Sequence, residues 1–84
     1  RRADLDEVDA AVLRLPPGFD RLLIVDRQRQ EIVAEVGGAG ARRLATRPGA
    51  YDVRAWRRGR LYAAHVLLEP DTERVLAATE LAKT

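Results

Sequence analysis

The stretch "RPGAYDVRAWRRGRLYAAHVLLEP", Arg47 to Pro70, decides the fold. Its Arg58-Gly59 pair is the x-Gly dipeptide favoured in two-residue β-turns, where glycine takes positive φ without steric cost. Closing the turn there sets Arg57 opposite Arg60, then Trp56 opposite Leu61, Ala55 opposite Tyr62 and Arg54 opposite Ala63. The series continues through Val53 with Ala64 and Asp52 with His65 to Tyr51 with Val66. Side chains alternate across a pleated strand, so the register can be checked by polarity. One face collects Tyr51, Val53, Ala55, Tyr62, Ala64 and Val66, which is a core face. The other collects Asp52, Arg54, Trp56, Leu61, Ala63 and His65. That face is mixed, and Trp56 belongs to it.

Upstream, "RLLIVDRQRQEIVAEV" reads as a second hairpin, with strands Arg21 to Val25 and Glu31 to Val36. A three-residue loop would pair Ile24 with Ile32, Leu22 with Ala34, and Arg21 with Glu35 as an exposed ion pair. Its third position, which favours glycine or asparagine, is Arg29. The expected core is Leu22, Ile24, Ile32, Tyr51, Val53, Tyr62 and Val66. Gly37-Gly38-Ala39-Gly40 connects the hairpins, but no Gly-Lys-Ser/Thr follows it, so a phosphate cradle is disfavoured. Arg42-Arg43 reads as a charged edge that resists unwanted strand pairing.

Both ends admit two readings. "ADLDEVDAAVLRL" has Leu5, Val8, Val12 and Leu15 at helical spacing, with acids where a helix N-terminus favours them. "DTERVLAATELAKT" reads as a helix or as a last strand with Val75, Ala77, Thr79 and Leu81 on one side. Short strands at regular spacing with Pro and Gly between them point to an all-β sandwich. That architecture resolves both ends toward strand. The expected organisation is a linker or short helical lead-in over 1–9, one β-sandwich domain over 10–82, and a tail at 83–84.

Composition narrows the function. The 84 residues suffice for one small domain with a thin core. There is no Cys and no Ser, and His65 is the lone histidine. Thiolate metal sites, disulfides and Ser-His-Asp chemistry therefore lack their parts, and no catalytic residue, metal ligand or cofactor is expected. His65 opposite Asp52 completes neither a triad nor a metal shell. No apolar run approaches the roughly 18 residues of a membrane span. The chain lacks Met, opens on Arg1-Arg2, and uses Arg almost to the exclusion of Lys, which reads as a piece of a larger protein from a GC-rich bacterial gene. Net charge is only +2, with acids mixed among the bases, so a dedicated nucleic-acid binder is disfavoured.

The segments "LPPGFDRLLIVDRQRQEIVAEV" and "RPGAYDVRAWRRGRLYAAHVLLEPDTERVL" resemble the small bacterial β-sandwich domains of the carboxypeptidase-regulatory-like and PEGA-like kind. The likeness rests on Pro48, Gly49, Tyr51, Val53, Gly59 and Val66, and covers roughly Leu13 to Leu81. Departures are Arg29 in place of a turn glycine and the missing glycine after Leu68. The resemblance implies a Greek-key sandwich of about seven strands, transthyretin-like or immunoglobulin-like, without catalysis of its own. Such domains are appended to larger proteins, including caspase-like peptidases, as spacers, oligomerisation modules or partner-binding modules.

Trp56, with Arg54, Arg58, Arg60 and Leu61, forms the candidate partner-binding site, because Trp and Arg are the residues most enriched at interface hot spots. The expected partner is another protein or a neighbouring domain of the same polypeptide. Two alternatives stand beside it. One is a passive spacer, with Trp56 merely covered by Arg54 or the chain ends. The other is a small β-barrel that binds single-stranded nucleic acid through Arg54, Arg57, Arg58 and Arg60, although such platforms usually need several aromatic rings.

Overall fold

A computed structural model of the chain describes residues 10–38, 40 and 42–84. The lead-in expected over residues 1–9 lies outside the described residues. The hairpin of the quoted stretch is formed by β5 (Gly49–Arg57) and β6 (Arg60–Leu68), the two longest strands described. Arg58 and Gly59 both take positive φ, at 52° and 77°, the mirror-image turn whose twist matches that of paired strands. The register runs from Arg57 opposite Arg60 to Tyr51 opposite Val66, as the alternation requires.

The preceding hairpin, β2 (Arg21–Asp26) and β3 (Glu31–Gly37), departs from the expected register. Its loop has four residues. The Asp26 carboxylate accepts the Gln28 and Arg29 backbone N–H groups at 3.0 and 3.2 Å, and the Gln30 N–H donates to the Asp26 carbonyl at 2.8 Å. Gln30, at φ 58°, occupies the left-handed position expected at Arg29. Pairing therefore opens with Asp26 opposite Glu31 and Val25 opposite Ile32, and a bulge then brings Ala34 opposite Ile24. The shift places Ile32 beside Val25 on the outer face, where it is 64% exposed rather than in the core. The Arg21–Glu35 ion pair nevertheless forms, at 2.8 Å, along a diagonal: Arg21 faces Gly37 and Glu35 faces Leu23.

With β1 (Ala11–Leu15), β4 (Arg42–Thr46), β7 (Glu73–Val75) and β8 (Ala82–Lys83), the strands form two sheets. Their orders are β4-β1-β7 and β3-β2-β5-β6-β8. Leu13 and Leu15 of the smaller sheet meet Leu22, Ile24, Tyr51, Val53, Val66 and Leu68 of the larger one in a single buried cluster. The protein is a small all-β sandwich. Tyr62, expected inside, is half-buried at the end of this cluster.

Eight strands are described rather than about seven because the last segment is not one continuous strand. Leu76 and Leu81 are both buried, at 1% and 5% exposure. Residues five apart point to opposite faces of a strand, so an unbroken strand cannot bury both. A 3-10 turn at Ala78–Glu80 resolves the conflict. Glu80 accepts the Ala77 N–H at 3.0 Å, and the Arg74 guanidinium clasps it at 2.6 and 3.2 Å. The last residues, read as a tail, are tied to β6: Lys83 pairs with Tyr62, and the Thr84 N–H donates to the Leu61 carbonyl at 3.1 Å.

Candidate functional site

The outer face of the five-stranded sheet is built in rows that follow from the register. The first crosses from Arg21 on β2 to Trp56 on β5 and Leu61 on β6. The next runs Glu35, Leu23, Arg54, Ala63 and Ala82. A third runs Ile32, Val25, Asp52 and His65, and Ala50 with Leu67 follows. Leu23, Val25, Trp56, Leu61 and Ala63 are half-buried, while Ile32 and Leu67 are each 64% exposed. This face is therefore substantially apolar, although no second layer of the described chain covers it.

Charged groups are set into that surface. The Arg21 guanidinium carbon lies 4.7 Å from the centre of the Trp56 ring, while its Nε is 2.8 Å from Glu35. The carboxylate therefore orients the cation against the indole. Cation–π contacts of this kind contribute about 0.5–1 kcal/mol at exposed positions. Asp52 accepts from His65 Nδ1 at 2.5 Å and lies 3.4 Å from Arg27, so its charge is shared by two neighbours. Arg54 makes no ion pair with any described residue.

The five residues singled out from the sequence divide into two groups. Trp56, Arg54 and Leu61 share the outer face. Arg60 has the opposite parity, paired with Arg57 on the side of Ala55 and Tyr62. Arg58 sits in the turn, its backbone N–H held by the Asp20 carboxylate at 3.1 Å. The cation over Trp56 is Arg21 rather than Arg54. Sequence reasoning missed Arg21 because the β2–β5 pairing that delivers it joins two separate hairpins.

The other motifs take structural roles. Arg42 and Arg43 are exposed on β4, the edge of the smaller sheet. Arg42 turns back to donate to the Gly37 carbonyl at 2.7 Å, so the glycine loop there presents an oxygen to a cation. Among the described residues, no three His, Asp or Glu side chains are grouped so as to hold a metal ion. No described helix is long and apolar enough to cross a membrane.

Fold and face together define the class: a small two-sheet β-sandwich with a partly apolar, Arg-studded outer sheet surface. No family model matches the chain, and no curated protein or solved structure matches it.

Proposed function

We propose that this is a non-catalytic accessory domain of a larger bacterial protein, of the carboxypeptidase-regulatory-like or PEGA-like kind. Its work is to contact another protein or a neighbouring domain of its own polypeptide through the outer face of the five-stranded sheet. The observation that carries this reading is the row Arg21–Trp56–Leu61, in which a half-buried indole lies beneath an oriented guanidinium on an uncovered sheet. Large aromatic surface with Arg beside it is the composition of interface hot spots. Exposed Ile32 and Leu67 extend the apolar area on the same face. Apolar side chains grouped on one uncovered face mark interaction sites more often than isolated exposed residues do.

The test is to compare amide and indole NMR shifts of the 84-residue chain alone and within the longer polypeptide proposed for it. Contact through this face moves the Trp56 indole, Arg54 and Ala63 while leaving β1 and β4 in place. Shifts confined to the smaller sheet would reject the outer-face reading, and no shifts would reject a neighbouring domain as the partner.

A further inference from the structure

The hairpin tip carries a second feature on its other side. Arg57 and Arg60 share the parity of Ala55 and Tyr62 but lie at the turn end of their strands, where Phe19 and Asp20 arrive from the segment before β2. The Arg57 guanidinium carbon is 4.8 Å from the Phe19 ring centre and 5.2 Å from that of Tyr62. The two rings meet edge to face at 5.5 Å, and Phe19 is fully buried, so one wall of this clamp is fixed by the core. Gly18, Asp20, Arg57, Arg58, Arg60 and Tyr62 line a cleft there.

The cleft is cationic. No guanidinium of Arg57, Arg58 or Arg60 forms an ion pair with a described residue. Lys83, opposite Tyr62 on β8, adds a further positive charge. Tyr62 registers the result: hydrogen bonding with Arg57 holds its phenol below the ordinary value, burial opposes this, and the charges of Arg57, Lys83 and Arg60 reinforce it.

We propose that this cleft binds a carboxylate of an acidic peptide segment on a partner polypeptide. Arg57 is already ordered by two aromatic contacts, so a ligand need not restrict it further. Its guanidinium presents the planar donor set that matches a carboxylate. The ligand class follows from two further details. Phe19 is buried and Arg57 already lies over one face of Tyr62, so the cleft lacks the series of open rings on which successive bases of a single strand stack. Asp20 in the wall repels a polyanionic backbone more than a single carboxylate. The cleft and the Trp56 face lie on opposite sides of the hairpin, so either can fail alone.

The test is an NMR titration of the domain with a capped tetraglutamate peptide at low salt, following Arg57 Nε–H and the Tyr62 ring. A thymidine oligonucleotide and inorganic phosphate are titrated in parallel. The expected result is saturable shifts at Arg57 and Tyr62 with the peptide. Arg57→Gln should weaken binding by about tenfold or more, the scale of a charge-assisted hydrogen bond. Arg60→Gln should weaken it too, which guards against Arg57→Gln acting by loosening Phe19. Arg43→Gln on β4 should leave it unchanged. No saturable shift would overturn the proposal, as would equal weakening by Arg43→Gln. Tighter binding of the oligonucleotide, or identical shifts with phosphate at the same concentration, would overturn the peptide assignment.

Discussion

The Tyr51 hydroxyl donates to the Arg47 carbonyl at 2.6 Å, and it lies 3.1 Å from Thr46 Oγ1. The ring itself is 1% exposed. A side chain in the five-stranded sheet thus pins the corner at which the chain leaves β4 and enters β5. Tyrosine corners in other sandwiches work the same way, with a buried ring whose hydroxyl returns to backbone a few residues upstream. Tyr51→Phe keeps the core volume and removes only the hydroxyl. It should cost about 1 kcal/mol or slightly more in urea unfolding, the net scale of one hydrogen bond plus an unsatisfied carbonyl. An unchanged midpoint would mean that water replaces the bond and the corner holds itself.

A pair of truncations tests the register of the β2–β3 hairpin, with Val53 on the neighbouring β5 as the buried reference. Val53 is fully buried, and Val53→Ala should destabilise the domain by about 1–3 kcal/mol through lost burial and a cavity. Ile32 is 64% exposed, and Ile32→Ala should stay within about 0.5 kcal/mol, as surface changes do. Comparable losses at both sites would restore Ile32 to the core and remove the bulge.

The Arg74–Glu80 clasp gives a pH dependence with a definite sign. Hydrogen bonding from Arg74 first, and then from the Ala77 N–H, lowers the Glu80 carboxyl from 4.5 to about 2. A carboxyl whose pKa falls on folding adds stability that is present above 4.5 and lost as pH falls through about 2. Because the clasp is exposed and screened, the effect should be local. Relative to the intrinsic exchange rate at each pH, amide protection at Leu81 and Thr84 should fall across that window before that of the β5–β6 hairpin does. Glu80→Gln should abolish this loss of protection. Equal loss throughout the sandwich would show that the clasp does not act locally.

The parts of the fold that were legible in the sequence are those fixed by local chemistry. Arg58-Gly59 sets the turn, and alternation from Tyr51 to Arg57 then sets every pair and the outward direction of Trp56. The β2–β3 register was not legible, because one carboxylate, Asp26, stabilises a four-residue loop and moves the left-handed residue to Gln30. The C-terminal break hides in the spacing of Leu76 and Leu81, a parity conflict that a reading for alternation passes over. At the candidate site, Trp56, Arg54 and Leu61 were found together because they share one hairpin. Arg21 over Trp56 and Phe19 against Arg57 were missed because both approach from outside that hairpin. Long-range pairing, rather than residue type, was the absent information.

The most direct measurement is Trp56→Ala with two readouts, urea unfolding of the domain and the association proposed for its outer face. Trp56 is half-buried on an outer face and stacked by Arg21, so unfolding should shift by only about 1 kcal/mol. Association should weaken by about 2 kcal/mol or more, roughly thirtyfold, as for an interface hot spot. A stability loss of about 3–5 kcal/mol with association intact would contradict this, because that is the cost of emptying a core site.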